Sequence, residues 1–297
     1  MAHNKTPIYT AFAANTIIAI VKLVAAAATG SSAMASEGIH SLVDTSNEIL
    51  LLLGISKSQK PADEKRPFGY GKELYFWSFV VSLLFFALGG GFSIYEGIEH
   101  LMHPEAITSP MWNYVILGIA FLLDGYSLIT ALKEFNRQRG DTPFWKAVHQ
   151  SKDPATFVVL FEDAADVIGI LIAFFGILLA VLLHNPYIDG VASVLIGLLL
   201  TAVAVLLVRE SHSLLMGETG SPAELSQIIT IVENDDMVQS VLTHLSMYMG
   251  PEEVVLLLKI KFDKGRQNSE VVDTIHLLRQ NIQTSLPRYK NIFIEPV

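Results

Sequence analysis

The sequence predicts an α-helical membrane protein with six transmembrane helices followed by a small α+β domain. Three observations carry that reading. Of 297 residues, 51% are hydrophobic and only 16% charged, whereas a water-facing globular surface needs about 25% charged residues. The apolar residues are gathered into runs long enough to cross a hydrocarbon core, which takes roughly 20 residues in a helix. From Glu210 onward the composition changes to that of a small soluble domain.

The six apolar runs are Ile8–Thr29, Ala33–Ile55, Leu74–Ile98, Met111–Leu132, Ala155–Leu183 and Ile188–Val208. Turn-forming residues separate them: Gly30-Ser31-Ser32, Pro61 with Pro67-Phe68-Gly69, Pro104 with Pro110, Gly140 with Pro143, and Asn185-Pro186. A soluble helical bundle would show a polar face on each helix, and these runs mostly do not.

Orientation follows from the basic residues. Lys57, Lys60, Lys65, Arg66 and Lys72 follow the second run, and Lys133, Arg137, Arg139, Lys146 and Lys152 follow the fourth. The segments after runs one, three and five hold neither Lys nor Arg. The positive-inside rule places the second and fourth loops, and with six spans both termini, on the cytoplasmic side. The first residues lack a cleavable signal peptide pattern, so the expected location is a bacterial plasma membrane.

Beyond residue 209, Ser221-Pro222-Ala223-Glu224 reads as a capping box with proline at the first helical position. Val238–Tyr248 and Val254–Phe262 read as strands around Gly250-Pro251. In the second, Leu258, Ile260 and Phe262 alternate with Lys259 and Lys261, as a half-buried strand does. Asn268–Leu286 reads as an amphipathic helix and Ile292–Glu295 as a closing strand. The order αββαβ suits a two-layer α+β domain. The domains are therefore drawn as 1–209, membrane-embedded, and 210–297, cytosolic.

Several function classes fall away. A net charge of −9 argues against nucleic acid, which needs clustered Lys and Arg. The absence of cysteine removes disulfides and thiolate metal sites. Neither a GxxxxGK[ST] loop for ATP nor an HExxH pair for a membrane metalloprotease is present. A metal sensor that binds without transporting stays open as an alternative, as does an intramembrane metalloenzyme.

Ionisable residues inside a span are costly and mark function. The second run carries Glu37, His40, Asp44, Asn47 and Glu48. His40, Asp44 and Asn47 are spaced i, i+4, i+7 and share a helix face. Imidazole and carboxylate on adjacent turns make half of a tetrahedral metal site. The fifth run reads FVVLFEDAADVIG over Phe157–Gly169 and puts Glu162, Asp163 and Asp166 within one sector of about 100°. Three carboxylates there repel one another unless a cation or protons sit among them. One of them pairing with Lys22 is the structural alternative. Lys22 and Asp124 are expected to pair with each other or to face a water-filled cavity. His100, His103 and His184, with Glu99 and Glu105, fall at the outer ends of helices, where histidines are common; Glu96 and Tyr95 are placed near the interface.

His40-Ser41-Leu42-Val43-Asp44, preceded by Thr29-Gly30-Ser31 and Ala35-Ser36-Glu37-Gly38-Ile39, resembles the second-helix signature of the cation diffusion facilitator family. Arg66-Pro67-Phe68-Gly69-Tyr70-Gly71-Lys72-Glu73 is similar to that family's loop before its third helix. Ile294-Glu295-Pro296 and the αββαβ order resemble its cytosolic domain, and the likeness extends to the branch that includes mitochondrial zinc transporters. The resemblance implies a homodimeric metal/proton antiporter in a lipid bilayer, without a resident cofactor. It would export a divalent cation, Zn²⁺ first, with Mn²⁺, Co²⁺ or Fe²⁺ as alternatives. The last 88 residues would serve dimerisation.

Two departures matter. Family members commonly place a second HxxxD on the fifth helix. Aligned without gaps, that pattern puts Val159 at the His position and Asp163 at the Asp position, which is the preferred register. In the other register Glu162 and Asp166 form an ExxxD. The expected ligand set is therefore His40 and Asp44 with Asp163, and with Glu162 and Asp166 as the alternative pair. In the cytosolic domain Phe293 and Lys259 stand where relatives often carry metal ligands, and His244 alone does not make a binuclear site.

Overall fold

The computed structural model describes residues 6–263, 265 and 267–297, with side chains from residue 15 onward. These residues divide into two compact units. The first takes the chain up to Gly54 together with Phe76–Ser211; the second takes Ile55–Tyr75 with His212–Val297.

The first unit is helical. Helices α1 (Thr6–Thr29) and α2 (Ser32–Ser58) are joined at Gly30, whose φ of +71° is a conformation that favours glycine. The N-terminus of α2 is capped from a distance: buried Asp189 accepts from Ser32 N at 2.6 Å, Ala33 N at 3.4 Å and Ser31 Oγ at 2.8 Å. A carboxylate there satisfies orphan amides and faces the positive end of the helix dipole. Next come α3 (Lys72–Leu84), a π-helical turn at Phe85–Gly90 and α4 (Gly91–Met102), which run on as one 31-residue rod. Helix α5 (Met111–Arg139) ends at Gly140, φ +54°, with Arg137 and Arg139 in its last turn. A short α6 (Phe144–Gln150) follows, which turn chemistry at Gly140 and Pro143 does not foretell. Helix α7 (Pro154–Leu182) starts on an Asp153 cap that accepts from Ala155 N at 3.1 Å, with proline at the first position. Helix α8 (Tyr187–Met216) completes the series.

Four helical rods are long and apolar enough to cross a membrane among the described residues: Lys72–Met102, Met111–Arg139, Pro154–Leu182 and Tyr187–Met216. The Asn15–Thr29 part of α1 is apolar but shorter. Helix α2 carries Glu37, Asp44, Glu48 and Lys57 along its length. The described residues thus give a mostly helical chain with four membrane-capable rods where the sequence predicted six spans.

Glycine sets the crossing of α4 and α8. A Cβ on Gly97 of α4 would sit 2.7 Å from Val194 N and 2.8 Å from Gly190 O of α8. One on Gly197 of α8 would sit 2.7 Å from Ile94 N and 2.9 Å from Gly90 O. Backbone therefore meets backbone, the small-residue contact that membrane helices use in place of a hydrophobic driving force.

The second unit contains α9 (Pro222–Glu233), β1 (Val238–Gly250), β2 (Glu253–Phe262), α10 (Asn268–Ser285) and β3 (Asn291–Pro296). The capping box at Ser221 and Glu224 is present with both bonds at 3.2 Å. The sheet order is β1-β2-β3, with β1 and β2 antiparallel and β3 parallel to β2. Val254, Leu256, Leu258, Ile260 and Phe262 are buried on one face of β2. Glu224 collects Tyr289 Oη at 3.2 Å, Tyr248 Oη at 3.4 Å and Arg288 Nη1 at 3.4 Å.

The loop carrying Arg66–Glu73 belongs to this second unit. A Cβ on Gly71 would collide with the carbonyl of Met249, so the loop backbone lies directly on the end of the β1–β2 hairpin. Phe68 meets Phe293 edge-on with ring centres 6.4 Å apart. Asp63 accepts from Tyr70 Oη at 2.6 Å and Arg66 N at 2.8 Å, and these bonds hold its carboxyl below the usual carboxylate range.

Candidate metal site

The site is built on α2 and α7. His40 is fully buried and sits between two carboxylates: its Nε2 is 2.8 Å from Asp166 Oδ1 on α7, and its Nδ1 is 3.4 Å from Asp44 Oδ2 one turn along α2. Phe85, in the π-helical turn, packs its ring edge-on to the imidazole at 5.2 Å and 72°. One ligand atom from each of His40, Asp44 and Asp166 lies within 4.8 Å of the others. A tetrahedral first-row ion with bonds of about 2.1 Å holds its ligand atoms roughly 3.4 Å apart. Small side-chain movements therefore suffice to enclose one. Both oxygens of Asp44 and Oδ1 of Asp166 are buried without a hydrogen bond, a state that a cation relieves.

The three acids of α7 go to different places. Asp166 joins His40 and Asp44. Glu162, one turn earlier and buried, accepts from Asn47 Nδ2 of α2 at 2.8 Å. Asp163 turns toward α5, where its Oδ2 accepts from Ser127 Oγ at 2.8 Å. Of the three acids of the fifth span, Asp166 lies within reach of both His40 and Asp44, Glu162 is tied to α2 through Asn47, and Asp163 is tied to α5 through Ser127.

Asp163 lines a polar cavity of about 140 Å³ together with Asp44, Glu162 and Asp166, walled also by Asn15, Glu48 and Asp124. Asn15 Nδ2 donates to Glu48 Oε1 across it at 2.9 Å. Asp124 faces this cavity, whereas Lys22 is buried against Glu37, Nζ to Oε2 at 3.2 Å. Glu37 as the partner of Lys22 was not foreseen; its place three residues before His40 was the available signal. Ser127 and Phe85 were missed too, because neither a lone serine nor a phenylalanine in an apolar run stands out. Away from this region, His100 is buried with Nε2 3.9 Å from Asp189, while His103 and His184 are exposed. His244 is exposed on β1 opposite Leu258.

A buried imidazole and carboxylates from α2 and the membrane-capable α7 thus sit beside a polar cavity in a largely apolar helical unit, the chemistry of a membrane protein that handles metal cations. The chain belongs to the cation efflux family, whose transmembrane-domain model matches residues 8–216. Among its relatives, a mitochondrial proton-coupled zinc antiporter of Xenopus laevis is 35% identical over 274 residues, 91% of this chain and 48% of that protein. The Homo sapiens protein of the same name is 34% identical over 266 residues, 89% of this chain and 46% of that one. Metal tolerance protein C4 of Arabidopsis thaliana is 28% identical over 264 residues, 88% of this chain and 58% of the relative. The chain spans about half the length of the curated relatives it matches.

These relatives correct one expectation. The bacterial plasma membrane inferred from the first residues does not stand, because the animal proteins that match nine-tenths of the chain are named as mitochondrial. The start of a chain that spans half of its relatives is not a physical signal of address. The integral, multi-pass character is retained.

Proposed function

We propose that this chain is a secondary transporter that moves a divalent metal cation, Zn²⁺ foremost, across a membrane in exchange for protons. The observation that carries the reading is His40 held between Asp44 and Asp166. Each ring nitrogen faces a carboxylate, so a metal and protons compete for the same atoms, and binding one displaces the other. That competition is the physical basis of antiport. The names of the animal relatives, which couple zinc to protons, support the same reading, and they favour a mitochondrial membrane.

The metal is held by His40, Asp44 and Asp166, with Glu162 completing the set when it leaves Asn47. Asp163 serves the cavity. One imidazole and three carboxylates make a harder site than two imidazoles would, which keeps Mn²⁺, Co²⁺ and Fe²⁺ as competing cargoes. In this reading α1 and α2 also span, giving six crossings and both ends of the chain on the Lys/Arg-rich side. The polar residues of α2 are tolerated because they face a protein interior. The protein works as a homodimer in the lipid bilayer, with residues 210–297 as the dimerisation domain.

Reconstitution in sealed vesicles tests this. Zn²⁺ flux should rise with an imposed pH gradient and be matched by proton movement reported by a trapped dye. Flux that ignores the gradient and moves no protons would make the protein a uniporter.

A further inference from the structure

The residues of α2 that face the site form a ladder: Glu37, His40, Asp44 and Glu48 are spaced by three, four and four residues. That spacing keeps them on one face of a helix of 3.6 residues per turn. Asp44 and Glu48 line the polar cavity, toward the Lys57 end of the helix. Glu37 stands one turn beyond His40 in the opposite direction and is fully buried.

Three features set Glu37 apart. Its Oε2 is held by Lys22, the only buried lysine or arginine among the described residues. Lys22 Nζ also donates to Ser41 Oγ at 2.8 Å, so the ammonium bridges the positions on either side of His40. The other oxygen, Oε1, is buried and has no hydrogen-bond partner. It occupies space left by Gly169, one turn beyond Asp166 on α7, where a Cβ would sit 2.5 Å away. A carboxylate oxygen left dry and unpartnered is costly. It is relieved by a cation arriving from the His40–Asp44–Asp166 group.

We propose that Glu37 is a further metal ligand, the receiving carboxylate on the side of the site away from the polar cavity, and that Lys22 holds it in reserve. The inference rests on the transport reading above. A metal bound by His40, Asp44 and Asp166 is passed one rung along the ladder to Glu37 as His40 or Asp166 lets go. Lys22 competes with the metal for Glu37, so the second rung binds weakly and releases its cargo. Without Lys22 the two rungs together grip the ion too tightly to part with it.

The test compares Zn²⁺ affinity, by equilibrium dialysis of the purified full chain, with Zn²⁺ flux in vesicles. Glu37→Gln should leave affinity within about threefold of the parent while flux falls about tenfold or more. Gly169→Ala, which displaces Glu37 Oε1 without changing charge, should act in the same direction. Lys22→Met should raise affinity about tenfold by removing a nearby competing cation, while flux falls. Lys22→Arg keeps the charge and should restore parental affinity, and Lys22→Met combined with Glu37→Gln should cancel the gain. Loss of the Lys22 charge alone accounts for tighter binding, so the deciding readout is the fall of flux at preserved affinity in Glu37→Gln and Gly169→Ala. Full flux in Glu37→Gln, or parallel loss of affinity and flux, overturns the proposal, as does unchanged or weaker affinity in folded Lys22→Met. If the parent moves no Zn²⁺, the transport reading falls, while the affinity measurements still decide whether Lys22 and the metal compete for Glu37.

Discussion

Two helix contacts in the first unit are built from opposite materials. Where α4 crosses α8, glycines bring backbone to backbone, with Ile94 and Val194 packed against them. Where α2 faces α7, the contact is made by imidazole, carboxylates and Asn47, several of them short of partners. The first arrangement has one way to pack, since interiors are close-packed and tolerate no added volume. The second has spare acceptors and an adjoining cavity, so it can hold a proton or a metal in turn. The difference separates a close-packed contact from one with room and unpaired acceptors for a ligand.

The comparison breaks most severely at the glycines. Gly97→Leu or Gly197→Leu drives a side chain into the facing backbone and should cost about 3 kcal/mol or more, read as loss of monodisperse protein and a lower Tm whether or not metal is present. Site substitutions should behave in the opposite way. On the proposed ligand set, His40→Ala, Asp44→Ala and Asp166→Ala should each leave the chain folded yet reduce Zn²⁺ flux by about 100-fold. Asp163→Asn should retain most flux whereas Glu162→Gln should not; the reverse result would move the site to the other register of α7. His40→Asp is gentler still. It keeps a ligand but replaces nitrogen with oxygen, so competition assays should show a shift of a few-fold, about one kcal/mol, toward Mn²⁺.

The smallest effect lies in the second unit. Burial and the neighbouring Glu224 carboxylate hold the Tyr289 phenol well above its ordinary range. A phenol whose folded pKa exceeds its unfolded value contributes stability fully below about pH 10, and loses it as pH rises from there through the folded value. The unit should therefore weaken in alkali, and Tyr289→Phe should flatten that arm in thermal melts taken at several pH values.

Sequence and structure agree where a periodicity is strong. The i, i+4 spacing of His40 and Asp44 was enough to put both on one face, and alternation along Val254–Phe262 was enough to bury the correct side of β2. The five-residue stretch from Glu162 to Asp166 was different. A helix wheel leaves all three acids within about 100°, and only the neighbours, Asn47 on one side and Ser127 on the other, pull them apart. Lys22 could not be assigned for the same reason, since carboxylates on several helices were within its plausible reach. The lodging of Arg66–Glu73 on the β1–β2 hairpin has no periodic signature at all; it depends on Gly71 meeting the Met249 carbonyl across a long gap in sequence. The membrane spans were clearest where charge was absent, and α2 resists the same reading because the residues that give it a site are the ones that lower its hydropathy.

The π-helical turn at Phe85–Gly90 has a consequence of its own. A π turn is equivalent to an α-helix that has gained one residue, so the rod from Lys72 to Met102 holds two faces rotated by roughly 100° relative to an unbroken helix. The extra residue lets Phe85 lie on the His40 ring while Gly90 and Gly97 still meet α8. Length is encoded in this segment alongside the glycine at Gly90, where a Cβ would sit 2.5 Å from Thr201 Oγ1: a one-residue deletion within Phe85–Gly90 would restore regular hydrogen bonding and yet misalign one of the two faces. A substitution leaves that frame intact, so a gap or insertion at this turn shifts a whole face where a changed residue disturbs one contact.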